Sequence, residues 1–233
     1  MISLTTPTQA APEPQPSSPP VQAVDLRSSL TFQNSFSFPL QSAIARREVL
    51  IGGLWLLVPV VGWLLNMGHR IQMVHNMHQG KPAWPAWSNP RQLCWHGAVT
   101  FAGMVWYGWP GVSLFCAGLW TGRSGLLGLG FLLWLLAVIA IPGYMSHYCR
   151  SFDKREIFDP FRAFSRVLQG GTAYWKAWSI ALTAMLLSFL GLLALGLGFL
   201  VTSVWFWQVA GFSFATVFTQ HFKLDRTDAE PAD

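Results

Sequence analysis

From Val49 onward the chain alternates long apolar stretches with short polar or basic ones. The first stretch, Val49 to Met67, carries Gly52-Gly53 and then Pro59 and Gly62 near its centre. Proline removes a backbone donor and breaks or kinks a helix, and glycine permits a turn. Two shapes are open for this stretch: one kinked span, or two half-helices that enter a membrane and return. The segment Gly68 to Gly80 is polar and basic, and Pro82, Trp84, Pro85 and Trp87 follow it. Tryptophan favours the headgroup level of a bilayer, which places this loop at the membrane surface. The pattern predicts further spans at about Trp95–Leu119, Gly125–Tyr148, Thr172–Leu193 and Phe199–Phe222. A kink is expected at Pro110, a break at Pro142-Gly143, and turns at Thr121-Gly-Arg-Ser124 and Gly196-Leu-Gly198.

The polar segments have patterns of their own. Asp159 is a candidate N-cap, Pro160 occupies the first helical position and Gly170 can end the helix. Phe161, Phe164 and Leu168 share one face of that helix, and Arg162, Ser165, Arg166 and Gln169 another. This predicts an amphipathic helix lying in the membrane interface. Residues 26–48 mix Phe32, Phe36, Phe38 and Leu40 with polar residues and read as an interfacial arm. Residues 1–25, with six prolines and no basic residue or apolar stretch, read as a disordered tail and not as a signal peptide. Residues 49–222 form the membrane domain, and 223–233 a short polar tail.

Composition sharpens this picture. Only 11% of the 233 residues are charged and 52% are hydrophobic, against about 25% charged in an average soluble domain. Mean hydropathy is +0.37. An ordinary soluble domain, a disordered chain and a collagen-like fibre are excluded. The run 177–222 holds 46 residues without Asp, Glu, Lys or Arg. About 20 residues cross the hydrocarbon core, so this run contains two crossings. Cys94, Cys116 and Cys149 form no metal-type spacing and no disulfide framework.

Charge placement bears on the number of crossings. Cytoplasmic loops carry an excess of Lys and Arg. If the first apolar stretch crosses, Arg46 and Arg47 fall on the opposite side from most basic residues. If it enters and returns, fourteen of the fifteen Lys and Arg share one side and only Arg123 lies on the other. The expected fold is therefore all-α: a polytopic bundle of four transmembrane helices plus a re-entrant or interfacial hairpin, with both termini cytoplasmic. Five transmembrane helices are the alternative.

Ile51-Gly52-Gly53, Val58-Pro59 and Gly62 lead into Gly68, Arg70, Asn76 and Gly80, and then into Pro82, Pro85, Trp87 and Gly97. This spacing, with Pro142 and Phe161-Arg-Ala-Phe164, resembles an uncharacterised prokaryotic membrane family, the domain of unknown function numbered four thousand and thirteen. The resemblance covers roughly residues 45–222. One departure is His69, where the family usually has an aromatic residue. The resemblance implies a multi-pass architecture in a prokaryotic cell membrane, either the cytoplasmic membrane or an internal photosynthetic one. It brings no activity.

Candidate chemistry is sparse. The predicted spans hold no carboxylate, and neither an H-E-x-x-H motif nor a P-loop is present. The expectation is a non-enzymatic protein: an accessory or assembly subunit, or a scaffold, of a membrane complex. The alternative is a small transport or lipid-handling protein with a polar cavity lined by Thr100, Tyr107, Ser113, Thr183, Thr202 and Gln208. The expected partners are membrane lipids and other membrane subunits, not nucleic acid. Anionic headgroups could meet Arg46, Arg47, Arg70, Lys81 and Arg91, and, in the later basic segment, Arg150, Lys154, Arg155, Arg162 and Arg166. His96, His147 and His221, near span ends, are candidate ligands for a pigment or haem, although no cofactor is required. Met67, His69, Met73, His75, Met77 and His78 have copper-type ligand chemistry. The blander reading of that stretch is an interfacial helix with Met buried and His at the headgroups.

Overall fold

The computed structural model describes residues 24–224, so the Pro-rich tail through residue 23 and the polar tail from residue 225 lie outside it. All regular structure among the described residues is helical. The elements are α1 (Phe32–Ser37) with a 3-10 turn (Phe38–Leu40), α2 (Ala43–Trp55), α3 (Val61–His78), α4 (Pro90–Thr121), α5 (Ser124–Ser151), α6 (Arg155–Phe158), α7 (Pro160–Ser188) with a 3-10 turn (Phe189–Leu193), and α8 (Leu197–Phe222). Three of these are long and apolar enough to cross a membrane: Ser124–Ser151, Pro160–Leu193 and Leu197–Phe222. Helix α4, at 32 residues, is long enough but too rich in polar and small residues to qualify by apolarity.

Local sequence explains where the helices begin. The Ser42 hydroxyl accepts from the Ala45 N–H at the head of α2. Asn89 and Asp159 cap α4 and α7 in the same way, each followed by proline at the first position. A side-chain acceptor here satisfies one of the N–H groups left without a partner in the first turn. Helices α4 and α5 run on through Pro110 and Pro142 without a break. The interruption in α7 falls at Gly171, with φ 52° and ψ −140°, one residue beyond the expected end at Gly170. An L side chain rarely adopts such a φ, so glycine is the residue suited to this position. Before it lies the amphipathic segment, with Phe161 and Leu168 exposed on the outside of the bundle.

The apolar stretch from Val49 to Met67 does not form one helix. It breaks at Leu56–Val60, and Val60 has φ 64°. Helix α3 then folds back antiparallel to α2. The Asn66 amide donates to the Gly52 carbonyl at 3.0 Å, and His69 meets Glu48 at 2.9 Å. Successive contacts thus pair residues progressively farther from the turn, as a helical hairpin requires. The hairpin tip is apolar and outward-facing, with Leu54, Leu57 and Val60 exposed. The turn between α7 and α8 is apolar as well: Leu193 is 84% and Leu195 95% exposed.

The arm packs along α8. Gln220 donates to the Ser28 carbonyl, Ser213 to the Ser35 hydroxyl and Trp205 to the Phe36 carbonyl. Phe38 stacks on both Phe212 and Trp84. Leu26, Leu30, Ser35 and Phe38 are buried, so this segment fills a groove that the bundle would otherwise leave open.

The ends of the helices sort by charge. His75 reaches the Cys149 carbonyl, Lys154 lies over Trp95, and His147 packs edge-on against Phe222. These contacts gather the end of α3, the start of α4, the end of α5 and the end of α8 at one end of the bundle. Arg123, in the α4–α5 turn, stands at the other.

Helices α3 and α4 approach with almost no space between backbones. A Cβ built on Gly68 would lie 1.7 Å from the Leu93 carbonyl oxygen, and one on Gly97 1.9 Å from that of Leu64. Small residues permit such contact between membrane helices. Gly68→Val should therefore separate the two helices and lower the detergent-solubilised melting temperature by several degrees, since overpacking costs about 1–3 kcal/mol. Gly108→Ala, where nothing lies within 4 Å, should leave it unchanged. Tryptophan fluorescence on heating measures both, and equal melting temperatures for the two variants would refute the close-packed interface.

Candidate functional site

Two buried polar groups on consecutive residues of α3 organise the centre of the bundle. His69 is fully buried, and its ring stacks on Trp87 with centroids 4.1 Å apart. Its Nε2 lies 2.9 Å from the Glu48 carboxyl and 3.0 Å from the Pro85 carbonyl, both acceptors. Nε2 therefore carries the proton. Its Nδ1 faces the Gln208 amide nitrogen at 3.4 Å. The hairpin thus ties the Pro/Trp loop and α8 together through one imidazole.

The next residue, Arg70, is only 7% exposed. Its guanidinium lies 4.5 Å from the ring centre of Trp207, and Nη2 contacts the Met145 sulfur at 3.5 Å. No carboxylate among the described residues pairs with it. Arg70 lines a cavity of 190 Å³ walled by α3, α5, α7 and α8, with Val138, Ile141, Ala181 and Phe214 among its apolar residues. Arg70 and Trp207 also line a second cavity, of 250 Å³, between the hairpin and the first half of α8. The second is more polar: Asn66, Ser203 and Gln208 face it.

The expected headgroup contacts divide. Arg46, Arg47, Lys81, Arg91, Arg150, Lys154 and Arg155 are exposed. Arg162 pairs with Glu156 and Asp159, and Arg166 with Glu156. Arg70 departs from the set in being buried, because the antiparallel fold of the hairpin turns its side chain into the bundle. The expectation that histidine stays at the headgroups is corrected for the same reason, since His69 and His78 are wholly buried. Met67, Met73 and Met77 are buried as that reading had them.

The candidate pigment ligands do not converge. His96 is buried, bonded to the Tyr148 hydroxyl at 3.0 Å and stacked on Phe152. His147 contacts the Gly143 carbonyl one turn back, and His221 is exposed. No group of three or more His, Cys, Asp or Glu among the described residues is placed to hold a metal ion.

The six residues expected to line a polar cavity are scattered. Ser113 is exposed, Tyr107 stacks on Tyr144, and the Thr183 and Thr202 hydroxyls bond to backbone carbonyls. Of the six, Gln208 alone lines either of the two cavities that meet at Arg70. Asn66 and Trp207 were missed. Asn66 sits at helical spacing ahead of Arg70, and that i, i+4 relation was the available signal.

Comparisons with known proteins yield no match: no family model, no curated protein and no solved structure is similar to the chain. The family resemblance therefore rests on the spacing of its quoted residues alone.

Losing the Glu48 carboxyl would leave the buried His69 N–H with only a backbone carbonyl. The cost is about 2 kcal/mol, so Glu48→Ala should lower the melting temperature by roughly 4–8 °C for a chain of this size. Arg47→Ala, at the exposed neighbouring position, serves as the control and should melt with the wild type. A variant of Glu48 as stable as wild type would remove the imidazole bridge from the account.

Proposed function

We propose that the chain is a non-enzymatic multi-pass membrane protein that binds an amphipathic anion inside its bundle, the lipid-handling reading of its sequence. The observation that carries this is Arg70. Burying a guanidinium costs several kcal/mol even after the surroundings relax. The Trp207 ring returns about 2 kcal/mol at such a site, and a thioether is a weak acceptor. Arg70 thus lacks a full counterweight within the described residues. An ionisable residue inside a membrane bundle marks a ligand or transport path. The wall of the 190 Å³ cavity is aliphatic and aromatic, which suits a hydrocarbon tail.

The same reading supplies a topology. Helix α2, with 13 residues, is about 20 Å long, too short for a hydrocarbon core of about 30 Å. The α2–α3 hairpin enters and returns from the basic end. Four helices cross: α4, α5, α7 beyond Gly171, and α8. The case for α4 is its partnership with α5. The two lie together from His96 and Tyr148, through Tyr107 and Tyr144, to Gly118 and Leu127. If α5 crosses, α4 crosses beside it. The basic end faces the cytoplasm by the rule for Lys and Arg.

Two measurements test this. In a cysteine-free background, Arg47→Cys and Lys81→Cys should both be labelled only after the membrane is permeabilised, while Gly122→Cys is labelled in intact cells. Labelling of the first two from opposite sides would make the hairpin a crossing. For the ligand, mass spectrometry of gently purified protein should show a retained anionic lipid that Arg70→Met loses without unfolding. Equal lipid content in both proteins would refute the binding reading. A stable protein partner in place of lipid would favour the accessory-subunit reading.

A further inference from the structure

The 190 Å³ cavity is open on one side, and the place where it opens decides what can enter it. Its floor is α3, with Arg70, Ile71 and Val74. The guanidinium is held at that floor by Met145 and Trp207, both of which line the cavity. The partly exposed wall residues include Val138 and Ile141 of α5, Leu182 and Met185 of α7, and Trp207 of α8. None of them is charged. Val138 and Trp207 each lie about 15 Å or more from both ends of their helices. Leu182 stands about 16 Å from the interruption at Gly171. The mouth therefore lies near the middle of a hydrocarbon core about 30 Å thick, and it faces lipid tails, not water or headgroups. Among the described residues, Arg70 alone of the Lys, Arg and His lines either cavity, and no Asp or Glu does.

These constraints select among amphipathic anions. A phosphodiester headgroup keeps its charge at neutral pH, and carrying that charge to the middle of a bilayer is costly. A carboxylic acid avoids the cost, because desolvation raises its pKa and leaves it neutral. It reaches the mouth uncharged, and the guanidinium beside it then favours the ionised form. We propose that the Arg70 cavity binds a long-chain monocarboxylic acid, a free fatty acid, which enters sideways from the bilayer. Its carboxylate pairs with the guanidinium in the two-pronged geometry the two groups share, and its proton is released to water. The first carbons of the chain fill the cavity, and the rest leaves between α5 and α7 into the lipid. One cation is matched by one negative charge. The volume matches one chain, since an apolar cavity of about 150 Å³ holds a single benzene. This rests on the reading of Arg70 as an anion-binding group and names the class of anion.

The experiment is photolabelling of the whole chain, delipidated and reconstituted in phosphatidylcholine vesicles. The probe is palmitic acid with a diazirine in its chain, and labelled peptides are mapped by mass spectrometry. The competitors are palmitic acid, hexadecanol, dipalmitoyl phosphatidylglycerol and butyrate. Palmitic acid should displace the probe at about a tenfold lower concentration than any of the others, as expected when charge must be carried to the bilayer centre or is absent. Arg70→Met should reduce labelling on the order of thirtyfold, as removal of one member of a buried charge pair does. The label should fall on α5 near Val138 and on α7 near Leu182, and Leu182→Trp, which narrows the mouth, should weaken it. Phosphatidylglycerol displacing the probe as well as palmitic acid would overturn the carboxylic acid while the Arg70 reading stands. Equal displacement by palmitic acid, hexadecanol and phosphatidylglycerol would overturn both. Butyrate competing as well as palmitic acid, or label confined to other helices, would overturn entry from the bilayer. If Arg70→Met does not fold, the competition on wild type decides the matter alone.

Discussion

Backbone carbonyls cannot be left bare in an apolar surrounding, and the hairpin depends on meeting that demand. A chain that turns back between two packed helices interrupts the hydrogen-bond ladder, and each buried group left unpaired costs several kcal/mol. Asn66 donates to two carbonyls at once, Gly52 of α2, which also accepts from the Leu56 N–H, and Gly62 of α3. One side chain thereby spans the turn and fixes the spacing of α2 and α3. With that spacing set, His69 reaches Glu48, and Arg70, one residue on, is directed toward α8.

The centre that results is asymmetric in its chemistry. His69 uses both ring nitrogens on protein groups and acts as a tie between hairpin, loop and α8. Arg70 has an aromatic face and a sulfur, neither of which carries opposite charge. Adjacent residues of one helix thus divide the work: one holds the bundle together and the other stays available.

Much of the architecture was legible in the sequence. The Asp159-Pro160 cap, the amphipathic face of Phe161 and Leu168, and the turns at Gly122 and Gly196 all follow from local rules, because each is decided by residues within a few positions. Pro59 signalled the break at the hairpin tip for the same reason. Burial of Arg70 was not legible. Its neighbours in sequence are polar and basic, which reads as a surface. Only the return of α3 against α2, together with the contact of α8 some 140 positions later, encloses it. The seat of the arm was not legible on similar grounds: whether Phe38 stacks on Phe212 is a question about distant residues. Pro142 misled in the other direction: it signals a break locally, yet α5 continues through it.

The two apolar turns have a consequence for how the protein is made. The tip at Leu57–Val60 and the α7–α8 connection around Leu193 and Leu195 present hydrocarbon outward. In the proposed topology, with the basic end retained in the cytoplasm, the one charged loop to be carried through the bilayer is the short turn at Arg123. Insertion by the cell's machinery then proceeds as two helical pairs and a hairpin entering from one face, with almost no polar chain hauled across. A protein built this way offers little for the outside to grip, digest or recognise, and its contacts with the cell lie in the bilayer and on the side where it was synthesised.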